Sequence, residues 1–276
     1  MQRLCIFSFF ILSLSCQGAL AQNGRYEISA RNAAMAGSSA TVSDAFSAFH
    51  NVGTLGAYDE GLAAVAGYQN RFGIKELSLF GFGIAAPVSF GTFSLMAGRY
   101  GTTDLYNEQR LGLAFGNTID FVSLGVAVNY IQYSIETAGT RRMVSIDFGG
   151  LVEVSKSLMF GAYIRNLNQA KIQDFTDERL PTLLVLGFSY RPIESLMVNA
   201  EVEKDIEQDT QVKVGLEYSP VQQVYIRTGI KVQPFEGAFG VGFRPKRFLF
   251  DYAYISTPDL GDKHELSIGY LISPQK

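Results

Sequence analysis

Tryptophan is absent from this chain, and cysteine, histidine and proline are scarce: two Cys, two His and eight Pro. Both cysteines, Cys5 and Cys16, lie in the N-terminal stretch. Removal of that stretch leaves no thiol, which excludes a disulfide framework and cysteine chemistry. Two histidines, His50 and His264, are too few for a multi-histidine metal site. Charge is also in short supply. Asp, Glu, Lys and Arg make up 18% of residues, against about 25% in ordinary soluble domains. The net charge of −3 lacks the basic footprint that nucleic-acid binding requires. After the N-terminus, no window reaches the roughly 20 apolar residues of a membrane-spanning helix.

What the chain does contain is 21 Phe, 14 Tyr and 28 Gly, distributed through short alternating runs. The N-terminus reads as an export signal. A basic start at Arg3 precedes the apolar stretch CIFSFFILSL at residues 5–14, and Ala19-Leu20-Ala21 fits the small-x-small cleavage rule. Residues 1–21 are therefore expected to be a signal peptide, with Gln22 first in the mature chain. Cys16 offers the alternative of a lipoprotein start, but Ser13-Leu14-Ser15 before it is a poor lipobox.

From Gly61 onward the pattern has period 2, the signature of strands with two unlike faces. In DTQVKVGLEY, residues 209–218, Val212, Val214, Leu216 and Tyr218 oppose Gln211, Lys213, Gly215 and Glu217. Residues 224–232 and 122–130 alternate in the same way. Strands are expected near 61–71, 75–87, 90–100, 106–118, 121–136, 142–154, 158–166, 182–191, 195–205, 209–218, 223–233, 236–244, 247–256 and 262–272. Most match the 9–11 residues of a tilted strand crossing a bilayer. Short connections alternate with longer polar ones, as periplasmic turns alternate with external loops in outer-membrane barrels. The expected fold is all-β, a transmembrane antiparallel barrel of about 14 strands over residues 61–276. Closure follows because bare strand edges cannot sit in hydrocarbon. Charged residues such as Glu201, Glu203, Lys213, Glu217, Arg227, Lys231, Arg244 and Asp251 would face a wet or salt-bridged lumen. Tyr100, Tyr106, Tyr133, Tyr190, Tyr218, Tyr225, Tyr252, Tyr254 and Tyr270 lie towards strand ends and are expected to form the aromatic girdles.

Residues 22–60 differ. The stretch 29–57 is small and Ala-rich, with too many Gly and Ser for a lipid-facing strand pair. It is expected to form a hatch, or plug, inside the barrel, with a short helix starting at Ser43 or Asp44. Gly112, Ala114, Gly116, Gly125, Ala127 and Gly149 would leave room on the wall to receive it.

These residues resemble the opening pattern of the PorV/PorQ family of Bacteroidota outer-membrane proteins, itself related in fold to the FadL fatty-acid transporters. The matching positions are Arg31, Met35-Ala36-Gly37, Ser43-Asp44, Phe49, Asn51 and Leu55, followed by residues 68–78 and 166–190. Two departures stand out: Ala36-Gly37 replaces Gly-Gly, and Val52-Gly53 replaces the Pro-Ala after the Asn, weakening the expected tight turn. The resemblance implies a hatch motif of Arg31, Met35, Gly37, Asp44 and Asn51. It also implies a non-enzymatic accessory role in type IX secretion, with a translocon component or secreted cargo as partner. FadL-like members instead imply a transporter for a hydrophobic small molecule.

No catalytic set emerges. Nothing distinguishes a Ser–His set around either histidine from ordinary loop polar residues, and the Gly-rich stretches lack a strand–turn–helix setting. No enzyme activity and no cofactor or metal are expected, and the surroundings are outer-membrane lipid. The longest external loop, residues 166–181, carries Lys171, Asp174, Phe175, Asp177, Glu178 and Arg179. It is the candidate partner-binding loop. Most external loops are short, which weighs against a sheltered ligand pocket above the membrane.

Overall fold

The structure is a computed structural model, and it describes residues 26–101, 106–136, 139–172, 179–206, 208–258 and 260–274. The signal-peptide expectation, residues 1–21, lies outside the described residues.

The alternating segments pair in sequence order into fourteen strands: β1 Gly61–Arg71, β2 Ile74–Val88, β3 Gly91–Tyr100, β4 Tyr106–Ile119, β5 Val122–Ile135, β6 Gly139–Ser155, β7 Leu158–Arg165, β8 Leu183–Ile193, β9 Leu196–Asp205, β10 Gln211–Val221, β11 Val224–Val232, β12 Glu236–Phe243, β13 Phe248–Thr257 and β14 Gly261–Pro274. Each strand is antiparallel to its neighbours, and β1 pairs with β14 to close the barrel. Closure leaves no open sheet edge, which hydrocarbon would penalise. One end carries short turns such as residues 120–121, 156–157 and 194–195. The other carries the longer loops, with residues 166–182 the longest. The β1–β2 connection is the exception among them, a tight turn in which Phe72 and Gly73 both have positive φ.

The two faces of the wall follow the sequence alternation. Leu111, Leu113, Val126, Val128, Leu186 and Ile268 project outwards and are about half exposed. Gln211, Lys213 and Glu217 on β10 turn inwards and are buried. An apolar outer face around a polar inner face is the arrangement of a barrel solvated by lipid.

The tyrosines divide between the faces. Tyr68, Tyr190, Tyr218 and Tyr270 are exposed on the outer wall, where a girdle belongs. Tyr100, Tyr106 and Tyr133 instead share the inward register of their strands and pack together, with Tyr106 stacked on Tyr133 at 6.4 Å between ring centres. Tyr225 also lies on the inward register, and its ring meets the guanidinium of Arg244. The girdle expectation is therefore corrected for these four. Position near a strand end does not determine the face; parity within the strand does.

Candidate functional site

Residues 26–60 run inside the barrel against its inner wall. Tyr26 lies beside Gly98 of β3, and the Arg110 guanidinium sits 5.9 Å from its ring centre. The chain then crosses to β14, where Ser29 N donates to Glu265 Oε1 at 2.7 Å and Ala30 N to Ser267 Oγ at 3.2 Å. A single helical turn follows, α1 Ala30–Ala33, capped by Ser29. Ala36 and Gly37 both adopt positive φ and turn the chain towards β10. Glu201 of β9 then accepts from Ser39 N and Ala40 N, each at 2.8 Å on Oε2. The expected helix at Ser43 or Asp44 is not formed as such. Asp44 Oδ1 accepts from Phe46 N in a local turn, and the ordered turns are 3-10 segments at Ser47–Phe49 and Val52–Ala57. Short polar side chains here favour turns over a helix interior.

Each residue of the expected hatch motif has a defined place. The guanidinium of Arg31 donates to both oxygens of Glu217 and lies 3.3 Å from Asp44. Arg31 and Asp44, thirteen positions apart, are thus brought together at one wall carboxylate. Met35 packs against Gly215 and Gly229. Gly37 carries the left-handed bend, and its carbonyl accepts from Lys213 Nζ at 3.3 Å. Asn51, fully buried, accepts from Gly53 N at 2.9 Å while its amide donates to Ala40 O at 2.6 Å and to Gly150 O of β6 at 3.0 Å. The turn after Asn51 holds without proline, because its side chain supplies the link that a fixed φ would otherwise support.

The fit depends on wall positions without side chains. A Cβ on Gly116, Gly125, Gly149, Gly161 or Gly229 would overlap atoms of residues 35–56. Gly112, by contrast, faces Met96 and Asn129 of the wall itself.

The lumen packs in two unlike regions, one apolar and one ionic, and Glu108 and Asn129 are also buried on the β4–β5 wall. Under β1–β5, Phe46, Phe49, Val52 and Leu55 pack with wall residues Val65, Leu79, Met96 and Ala114 in one apolar cluster. Under β8–β14 the side chains are ionic. Lys213 meets Glu201 at 2.9 Å and Glu203 at 2.7 Å, and Arg227 meets Glu217 and Asp251, both at 2.6 Å. At the external end, Glu236 takes both Lys231 and Lys263. The polar wall is therefore largely salt-bridged. The buried ions just named persist because each has a partner of opposite charge. His50 is buried between these regions, with Nε2 3.1 Å from Ile28 O. Burial pushes its imidazole down to about 4.

Three larger hollows among the described residues flank this packing. An external vestibule of about 550 Å³ is lined by Glu27, His50, Arg71, Lys213, Glu236 and Lys263 among others. A chamber of about 570 Å³ opens at the short-turn end beneath Arg31. A third hollow, about 530 Å³, lies on the apolar outer wall between Leu124, Phe160, Leu186 and Phe188, over Gly150 and Ala162. Behind it on the inner side stand Asn51 and Ala40.

The long external loop is described only at its stem. Lys171 and Arg179 form an isolated antiparallel bridge. Asp174, Phe175, Asp177 and Glu178 lie outside the described residues. Asn166 organises the stem, donating to Leu180 O and accepting from Ala170 N, both at 2.9 Å. Ala170 and Leu180 then pack on Ile131, Tyr133 and Met143. Sequence reasoning missed Glu201 and Glu265 as anchors of the N-terminal segment. Their only signal was an acidic residue at an inward position. Among the described residues, no three His, Cys, Asp or Glu side chains gather as a metal site.

No protein-family model matches the chain, and no curated protein matches it. Solved structures do. The Ralstonia pickettii toluene transporter TbuX superposes with a TM-score of 0.67 at 11% identity, over 89% of this chain and 97% of its own. The P. putida toluene transporter TodX gives 0.65 at 12% identity, over 89% and 97%. A Pseudomonas aeruginosa FadL homologue gives 0.65 at 11% identity, over 89% and 98%. At such identities the likeness speaks for the fold. The chain is an outer-membrane β-barrel with the fourteen-strand fold of the FadL-type barrels.

Proposed function

We propose that this barrel passes a hydrophobic small molecule across the outer membrane, with residues 26–60 as the plug that yields to it. The observation that carries this reading is the apolar side of the lumen under β1–β5. Val65, Leu79, Met96 and Ala114 face inwards there, and Phe46, Phe49, Val52 and Leu55 cover them. A pore for polar solutes has no use for such a wall, since apolar lining raises the cost of moving a hydrated solute. An apolar cargo displaces the aromatic side chains and takes over their contacts. The outer hollow over Gly150 and Ala162 supplies an apolar surface on the lipid side of the wall at the level of Asn51. The solved structures of the same fold include toluene transporters and a monoaromatic hydrocarbon channel, which agrees with cargo of this class. The test is uptake of a radiolabelled monoaromatic hydrocarbon and a long-chain fatty acid by cells lacking their own FadL-type barrels. Expression of this protein should raise the entry of at least one. Unchanged entry of both, with the barrel correctly inserted, would sink the proposal.

A second reading, an accessory role like that of PorV/PorQ proteins in type IX secretion, is favoured by one observation. The external loops present large apolar side chains to solvent: Leu167, Ile206, Phe235 and Leu260 are all more than half exposed. Scattered apolar residues at one rim suit contact with a protein partner. Mild extraction followed by mass spectrometry separates the readings. A stoichiometric translocon component or cargo protein supports the second, and a lone barrel carrying an apolar molecule supports the first.

A further inference from the structure

The chamber at the periplasmic end is lined by more cationic than anionic side chains. Arg31, Lys156, Arg191 and Arg244 border it, against Glu194 and Glu217. Two of these charges are already committed, since Arg31 holds Glu217 through two hydrogen bonds. Arg191 and Arg244 are not. Among the described residues, neither has a carboxylate within ion-pair distance. The Arg191 side chain makes one weak contact, Nη2 to Met197 Sδ at 3.5 Å. The Arg244 guanidinium lies 4.8 Å from the Tyr225 ring centre, and its Nε is buried without a hydrogen-bond partner. Glu60 is close enough for its charge to be felt by Arg244 but forms no ion pair with it.

An arginine whose donors are half withdrawn from water and unmatched by an acceptor is costly unless something completes it. Two such groups, from β8 and the end of β12, edge the same chamber of about 570 Å³. A guanidinium presents a planar fork of N–H donors that matches the oxygens of a phosphoryl or carboxylate group. We propose that this chamber is a binding site for a small periplasmic oxyanion, a phosphoryl group above all, held between Arg191 and Arg244 on the periplasmic side of Arg31. Lys156, Ser157 and Ser195 also line it. The site is separate from the apolar side of the lumen and does not depend on what the barrel transports. The phosphoryl group can come from two sources: a soluble phosphate compound, or the headgroup of a phospholipid in the inner leaflet.

The experiment compares the full-length protein with an Arg191→Gln/Arg244→Gln variant, both purified in mild detergent. Isothermal titration with inorganic phosphate reads the soluble source. Native mass spectrometry after incubation with phosphatidylglycerol vesicles reads the headgroup. The wild-type protein should bind one of the two probes saturably, and the variant should bind it about tenfold more weakly or worse, as loss of charge-assisted hydrogen bonds implies. Without ligand, the variant should unfold close to wild type, because neither arginine has an ion-pair partner to lose. That readout distinguishes a ligand site from a structural role, which would lower the midpoint. If the double variant does not insert, the single Arg191→Gln and Arg244→Gln variants are read in the same way. Equal binding by wild type and variant, or no binding of either probe by wild type, overturns the proposal.

Discussion

Arg31 and Glu217 lie 186 residues apart in the chain and meet side by side, Nη2 to Oε1 at 2.7 Å and Nε to Oε2 at 2.8 Å. The pair ties the N-terminal segment to the barrel wall. Glu217 also accepts from Arg227 at 2.6 Å, which in turn holds Asp251, so the tie extends across the wall from β10 to β13. Its cations and carboxylates are buried together, which makes each depend on the others.

Loss of Arg31 is expected to undock the segment and leave the barrel closed. Arg31→Ala removes one member of a buried ion cluster, a change that costs about 3–5 kcal/mol. Hydrogen exchange over residues 26–58 should accelerate strongly, while the heat-modifiable gel migration of the barrel stays as in wild type. Undiminished protection of the segment would show that the ion pair is not its anchor.

Wall glycines beneath the segment should tolerate no side chain, whereas a glycine on the lipid side should. Gly161→Val and Gly125→Val place atoms where Ala40 O and Val52 O already stand. Overpacking of this kind costs about 1–3 kcal/mol, with the segment as the part that gives way. Gly150→Ala meets only the flexible end of Leu124 at 3.2 Å and a backbone oxygen at 3.4 Å. Limited proteolysis should cut the segment in the first two variants and spare it in the third.

Asn51 should be replaceable by neither alanine nor aspartate. Alanine strands two carbonyls and one amide that Asn51 now satisfies, at about 1–3 kcal/mol for each buried group left unpaired. Aspartate keeps the acceptor for Gly53 N but turns a carboxylate oxygen towards Ala40 O and Gly150 O. Asn51→Asp is therefore expected to be the worse of the two at pH 7 and to recover when the carboxyl is protonated. Exchange rates of residues 40–57 measured at pH 7 and pH 4 check this order, each variant being referred to wild type at the same pH.

His50 makes the docking of the segment sensitive to acid. Its Nε2 faces a backbone carbonyl and so carries the proton of the neutral ring, leaving Nδ1 unprotonated and buried. The folded value of about 4 lies below the reference near 6.5. The unfolded form therefore binds the proton first on acidification. The contribution of His50 is complete above about pH 6.5 and declines as pH falls towards 4. An NMR titration of labelled His50 with a midpoint close to 6.5 would contradict this account.

Much of the barrel is legible in the alternation of residue types. β10 runs over Gln211–Val221 with Val212, Val214 and Leu216 outside and Lys213, Gly215 and Glu217 inside, as its pattern implies. The other strands also fall close to the segments that period 2 marks. Such a period is a local property, and lipid outside with polar groups inside gives each position a definite sign. The N-terminal segment is less legible. Its small residues indicate room for close packing, but the α1 turn at Ala30–Ala33 and the 3-10 turns have no periodic signal behind them. Segments this short owe their form to what they touch.

The strands, their two faces and the need to close are written in the chain itself, because they follow from the chemistry of each residue and its immediate neighbours. Which ions meet, which tyrosines face inwards beside the segment and where unmatched arginines remain are set by the assembled ring. Closing β1 onto β14 fixes the register of every strand at once. That register places Glu217, Arg227 and Asp251 within reach of one another under Arg31, and Arg191 and Arg244 around one chamber. Distances of this kind depend on the whole ring, and no local pattern carries them.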